Sequence, residues 1–186
     1  MIPHRFEAVN KKNLKNEERM RVQPATGIIE RASPTLDEVC AELGCGNGYV
    51  SIPFSIRCRV LLAVDAQREM IEDLLRSAGE FERLKIIPVV ADMSNLPFSG
   101  ASLDRVLLIN AFHEVEDRHA LAAEVERVLR PGGRITLVDF QKKRTSRGPP
   151  FEERIDEADI PKHFTTMVVD RKWSFEDFYH IELLRR

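Results

Sequence analysis

The residues with the most chemistry per position stand in one short run, Glu42-Leu43-Gly44-Cys45-Gly46-Asn47-Gly48. Its glycines let the backbone turn tightly and let a ligand approach with no Cβ in the way. A helix starting just behind the run offers unpaired N–H groups that favour a carboxylate or phosphate. Glu42 opens the run, and a second acid, Asp65, ends the next apolar stretch. A carboxylate there can accept from two ribose hydroxyls, each charged hydrogen bond contributing roughly 1.5–3 kcal/mol net. The spacing speaks against a dinucleotide. That fingerprint needs glycine or alanine at position 49, which is Tyr49, and the third glycine comes one place early at Gly48.

A second group of candidates follows the fourth apolar run, at Asn110-Ala111-Phe112-His113-Glu114. There Phe112 could wall a pocket and His113 could act as a base near neutral pH. The plainer alternatives stay open: His113 capping or packing under the next helix, and Glu114 as a solvated loop acid. Cys40, Cys45 and Cys58 are odd in number and lack CxxC spacing, so reduced thiols and no metal site are expected. Cys40 reads as a small buried hydrophobe.

These candidates need elements to hold them, and the pattern supplies alternating strands and helices. Short apolar runs at 38–43, 59–64, 85–90, 103–110 and 134–140 read as strands. RVLLAV at 59–64 is almost wholly apolar, as in a strand covered on both faces. A helical segment runs from the glycine loop to about Ile56, and another from Arg68 to Ala78 ends at Gly79. In the helix expected at 118–129, Leu121, Ala122, Val125, Val128 and Leu129 form one apolar face. Pro131-Gly132-Gly133 stops that helix and turns the chain into the fifth strand. The tail reads as a basic loop (Lys142, Lys143, Arg144, Arg147), a Pro149-Pro150 break, a short acidic helix at 152–157, and strands at 165–169 and 178–184. Such alternation signals parallel βαβ units in one α/β domain.

The first 35 or so residues are polar and irregular, with charge runs at 11–15 and 17–21 and a short helix at 24–32. They read as an N-terminal arm, 1–35, ahead of a single domain at 36–186. With no inserted lid between the strands, this arm, including His4, Arg5 and Phe6, is expected to fold over the pocket.

Composition bounds the partners. Apolar residues make up 43% and charged residues 31%, with a net charge of -2, which gives no global reason to expect nucleic acid or an anionic membrane. A chain of this length buries roughly 70% of its unfolded surface and needs no disulfide or metal. No apolar run reaches about 18 residues and no leader pattern opens the sequence, so a cytoplasmic protein without a membrane span is expected. Oligomeric state is not legible.

Taken in order, these motifs resemble a known family. Glu42-Leu43-Gly44-Cys45-Gly46-Asn47-Gly48 resembles the first motif of class I S-adenosylmethionine-dependent methyltransferases, and Val64-Asp65 their second acidic position. Ala91-Asp92-Met93 resembles the loop that holds the adenine. Leu129-Arg130-Pro131-Gly132-Gly133 resembles the signature before the fifth strand in the quinone-biosynthesis-like, type 11 branch. The resemblance covers about residues 38–140. It implies a Rossmann-like three-layer α/β/α fold, mostly parallel and seven-stranded, with an antiparallel last strand.

The resemblance also implies S-adenosylmethionine as cofactor, leaving as S-adenosylhomocysteine, and a site drawn from Glu42, Gly44, Cys45, Gly46, Gly48, Asp65, Ala66, Ala91, Asp92, Met93 and Asn110. Gly44 and Gly46 would face the methionine part, with Glu42 organising the loop or the amino group. Asp65 would take the ribose hydroxyls, Asp92 the adenine amino group, and Asn110 would line the cofactor. Methyl transfer is an in-line displacement, where positioning can supply about 7–11 kcal/mol. A base matters only if the acceptor must lose a proton, with His113 the candidate.

The expected activity is methyl transfer to a small-molecule acceptor. Two alternatives remain: a binding module without catalysis, and a methyltransferase acting on protein or RNA through the open pocket and basic loop. Nucleobase amino-group methylases typically carry Asn/Asp-Pro-Pro-aromatic after the fourth strand, and Asn110-Ala111-Phe112-His113 lacks both prolines.

Overall fold

In the computed structural model, residues 17–79, 85–145 and 148–186 are described. The apolar runs become β1 (Val39–Leu43), β2 (Val60–Asp65), β3 (Ile86–Val90), β4 (Leu103–Ile109) and β5 (Leu129–Phe140), followed by β6 (Met167–Ser174) and β7 (Phe178–Arg185). They join in one seven-stranded sheet of order β3-β2-β1-β4-β5-β7-β6. Strands β1 to β5 pair in parallel, and β7 runs antiparallel to both β5 and β6. Strand order reverses between β1 and β4, so the carboxyl ends of these strands are where an open α/β sheet receives a ligand.

Period-two alternation sends side chains to two cores. Cys40, Leu61, Leu107 and Val138 face Ile28 and Ile29 of α2 (Ala25–Ala32) and Phe54 of α3 (Ser51–Ser55). On that face α4 (Arg68–Ala78) covers Ala63 with Ile71 and Leu74. On the other face Leu43, Val106, Leu108 and Leu137 meet Leu121, Val125 and Val128 of α5 (Arg118–Val128). Asp117 caps α5, its carboxylate accepting from the Ala120 N–H at 2.9 Å. The expected Rossmann-like three-layer α/β/α architecture is thus observed.

Several local expectations need correction. The charge run at 17–21 lies in a helix, α1 (Glu17–Val22). The acidic helix expected at 152–157 is only a 3-10 turn, Phe151–Glu153. There Asp156 takes the Ala158 N–H with its own carboxylate at 2.9 Å, a local bond that competes with helix. Strand β5 begins at Leu129, so the Pro-Gly-Gly turn lies inside it as an irregularity where pairing jumps between Leu103 and Arg105 of β4. Strand β6 starts late and runs on through charged residues. Glu126 holds the Thr165 and Thr166 N–H groups at 2.7 and 2.6 Å, and beyond them Asp170, Arg171 and Lys172 suit an edge strand. Among the described residues, no helix is long and apolar enough to cross a membrane.

Candidate active site

The glycine loop leaves β1 and is pinned at once to its neighbour. The N–H groups of Gly44 and Cys45 both donate to the Val64 carbonyl at 2.9 Å. Gly44 has φ +74°, and a Cβ there would come within 2.9 Å of the Ala111 Cβ, so glycine is required. The loop then reaches Asp65. Its Oδ2 accepts from the Gly46 N–H and its Oδ1 from the Gln67 N–H, each at 2.9 Å. A carboxylate can accept about four hydrogen bonds, so anchoring the loop and holding a ligand are compatible at this one side chain.

Glu42 is 3% exposed behind the loop and accepts from the Ser51 hydroxyl. Burial pushes its carboxyl up to about 7, against the opposing pull of Ser51 and of the Arg19 charge. Burial also raises the Cys45 thiol, with Glu42 and Asp65 adding to it, so Cys45 is a packed thiol and not a nucleophile. Gly48 has φ +82°, where a side chain is strained, and a Cβ there would come 3.1 Å from Leu74 and 3.2 Å from Ile52.

The ends of the neighbouring strands complete one rim. The Ala91 N–H donates to the Asp65 carbonyl at 3.1 Å. Asp92 is exposed in a turn, where its Oδ1 accepts from the Ser94 N–H at 2.8 Å. Met93 is half-buried, its Cε 3.4 Å from where a Gly44 Cβ would be, and Ala66 is half-buried directly after Asp65. Asn110 ends β4 in the left-handed region, φ +53°, a conformation asparagine tolerates better than most residues.

The Asn110 side chain forms a two-way amide pair that sequence reasoning missed. Gln23 Nε2 donates to its Oδ1 at 3.2 Å, and its Nδ2 donates to Gln23 Oε1 at 2.8 Å. The Tyr49 hydroxyl donates to the Gln23 carbonyl at 3.1 Å, and the Arg19 guanidinium lies 4.4 Å from the centre of the Tyr49 ring. Gln23 therefore touches the end of β4, and Gln23 and Arg19 both meet Tyr49 just after the glycine loop. His4, Arg5, Phe6 and the charge run at 11–15 lie outside the described residues.

His113 sits on a 3-10 turn, Phe112–Glu114, and meets Asp139 near the end of β5. Its Nδ1 is 2.7 Å from Asp139 Oδ1, and its backbone N–H donates to Oδ2 at 3.1 Å. A carboxylate only accepts, so Nδ1 carries the proton and Nε2 is left to exchange one. Nε2 is 3.9 Å from Glu114 Oε1. Burial favours the neutral ring, yet the charge and hydrogen bond of Asp139, with Glu114 and Glu153 adding, hold His113 above its ordinary value. Phe112 does not wall a pocket: it is fully buried, stacked on Phe164 at 5.9 Å. Of the expected basic loop, Lys142, Lys143 and Arg144 are exposed and Arg147 is outside the described residues.

The arrangement fits an adenosyl ligand on this chain's own terms. It has a backbone cradle that side chains would fill, a carboxylate at the end of β2, a second on the next loop, and a buried imidazole–carboxylate pair at the ends of β4 and β5. Among the described residues, no cluster of three or more His, Cys, Asp or Glu is arranged for a metal. Asp139, Gln23 and Arg19 were missed because each acts across the fold, with no local motif to flag it.

Comparison with known proteins agrees. A family model described as a methyltransferase domain matches residues 41–137. The 27-O-demethylrifamycin SV methyltransferase of Amycolatopsis mediterranei is 33% identical over 103 residues, 53% of this chain and 37% of that one. An uncharacterized methyltransferase of Mycobacterium tuberculosis is 33% identical over 162 residues, 81% of this chain and 63% of that one. The chain thus spans between 37% and 63% of the length of these curated relatives. In fold, it matches a SAM dependent methyltransferase from Aquifex aeolicus with a TM-score of 0.88, over 98% of this chain and 100% of that one, at 17% identity. With its strand order, its glycine loop and the matched domain in agreement, the chain belongs to the class I S-adenosylmethionine-dependent methyltransferases.

Proposed function

We propose that the chain binds S-adenosylmethionine at the Glu42–Gly48 loop and transfers its methyl group to a small-molecule acceptor carrying an O–H or N–H. The observation that carries the reading is the Gly46 N–H bond to Asp65 at 2.9 Å, which sets the loop and the ribose-type acceptor as one unit. Gly44, Cys45 and Gly46 present backbone to the methionine part, while Glu42 fixes the loop from behind. Asp65 and Ala66 hold the ribose side, Ala91, Asp92 and Met93 the adenine side, and Asn110 closes the base of the pocket. The Amycolatopsis relative, named for a small-molecule acceptor, supports the acceptor class.

S-adenosylmethionine, when bound, supplies a sulfonium methyl: the acceptor's lone pair forms the new bond to carbon as the S–C pair goes to sulfur, leaving S-adenosylhomocysteine. The chain's part is to hold the acceptor in line and to receive its proton. Nε2 of His113 takes that proton, and Asp139 fixes the ring through Nδ1–H and offsets the charge gained. Such base assistance is typically worth about 10²–10⁴-fold. The chain divides into an arm, 1–35, and a methyltransferase domain, 36–186, and within the arm Gln23 locks Asn110.

The test is turnover on a panel of phenols, alcohols and amines, followed by S-adenosylhomocysteine release. Native protein is expected to methylate at least one class, and His113→Gln to lower kcat by about 10²–10⁴-fold with cofactor affinity kept. Full turnover by His113→Gln would exclude the base role. Binding without turnover on every acceptor would favour the non-catalytic module.

A further inference from the structure

Between the basic loop after β5, the start of α5 and a 3-10 turn at Ile160–His163 lies a cleft of about 400 Å3. That volume suits a small ligand. The cleft abuts the turn that carries His113: Arg118 donates to the His113 carbonyl at 3.2 Å, and the His163 ring centre is 5.4 Å from that of Phe112.

Its charges are mixed, and their partners decide what remains for a ligand. Asp159 is paired with Lys162 at 2.6 Å. Arg154 is committed to the backbone, donating to the carbonyls of Pro149, Gln141 and Lys143 at 2.9, 3.2 and 2.7 Å. Glu152 is exposed at the rim, and the field of Glu153 bears on His113. Arg118 differs from these. One of its terminal nitrogens serves the His113 carbonyl, while its Nε is shielded from water with no hydrogen-bond partner among the described residues. His163 Nδ1, in the same wall, is likewise shielded and unmatched. Burial, with His119 and Arg118 facing it, lowers the His163 pKa, so this ring adds a hydrogen-bonding edge and not a second cation. Lys142, from the loop after β5, is exposed and lines the cleft with Arg118.

The Arg118 guanidinium lines the cleft beside Lys142 with one terminal nitrogen committed to the His113 carbonyl, and the group that best matches such a fork of donors is a planar or tetrahedral oxyanion. We propose that this cleft is the subsite for the methyl acceptor and takes it by a carboxylate or phosphate held between Arg118 and Lys142. The anchored anion is distinct from the acceptor atom that faces His113, so the inference rests on the methyltransferase reading and narrows its substrates to acidic small molecules.

The test is calorimetric titration of the full chain, alone and saturated with S-adenosylhomocysteine. The probes are benzoate, phenyl phosphate, inorganic phosphate and, as the neutral control, benzyl alcohol. At least one anion is expected to bind about tenfold or more tightly than benzyl alcohol, with affinity falling as salt is raised. The benzoate and phosphate arms separate the two oxyanions. Lys142→Gln, at an exposed position, and Arg118→Gln should each weaken anion binding about tenfold while S-adenosylhomocysteine affinity holds. Equal binding of benzyl alcohol, or anion affinity unchanged in both variants, would overturn the proposal. Failure of S-adenosylhomocysteine to bind would instead sink the cofactor reading, and the titrations without cofactor would still decide the cleft.

Discussion

Two buried histidines, His113 and His180, each lie 2.7 Å from a carboxylate, and they are held differently. His180 is used on both nitrogens: Arg31 Nε donates to its Nδ1 at 3.1 Å, so Nε2 carries the proton given to Glu182. Glu182 in turn accepts from Arg105 at 2.8 Å, and Arg105 also reaches Thr136 and Glu38 at 3.0 and 2.8 Å. The chain of bonds joins α2, β7, β5, β4 and the approach to β1. His113 is hydrogen-bonded at Nδ1, with Nε2 3.9 Å from Glu114 Oε1, and its side chain keeps 7% exposure where that of His180 keeps none. A buried acid–base pair whose every group is matched is structure. One whose second nitrogen makes no hydrogen bond, at the carboxyl edge of the sheet, is what the proposed base role requires.

The largest effect that would sharpen this contrast lies in the closed network. Replacing Glu182 by Ala leaves Arg105, whose side chain is 2% exposed, without its buried partner. A loss of about 3–5 kcal/mol in denaturant unfolding is expected, with S-adenosylhomocysteine affinity unchanged in the protein that remains folded. A small loss would mean that the network is not closed, and the contrast between the two ends of the sheet would fail.

The smaller effect is in pH, where the two histidines should act with opposite sign. His180 is lowered by burial, so the unfolded chain binds its proton more readily; its contribution is full above the ordinary histidine value and is lost as pH falls from there through the lowered one. His113 is raised against burial by Asp139; its contribution is full below the ordinary value and is lost as pH rises through the elevated one. Urea midpoints of His180→Gln should therefore lose the acid-side slope of the native protein, and those of His113→Gln the alkaline-side slope. The same sign in both variants would break the comparison.

What the sequence revealed divides along the same line. Helix α4 was legible at its observed bounds, and α5 to within a residue, because Arg68–Ala78 and the apolar stripe from Leu121 to Val128 are local patterns. The glycine loop and Asp65 were legible as a motif, and the fold brings them into direct contact. The long-range side-chain pairs were not. His113 finds Asp139 across 26 positions, Asn110 finds Gln23 across 87, and Arg31 finds His180 across 149. No period or spacing encodes such pairs, since they exist only once β4, β5 and β7 are side by side. Strand β6 was partly hidden for a related reason: as an edge it carries Asp170, Arg171 and Lys172 where an interior strand would be apolar.

The most direct test of the central claim is calorimetric titration of native protein and Asp65→Ala with S-adenosylmethionine, S-adenosylhomocysteine and NAD, with folding of both confirmed by circular dichroism. The account predicts micromolar binding of the two adenosyl ligands, none of NAD, and loss of binding in the variant. Folded native protein that binds neither adenosyl ligand would contradict it.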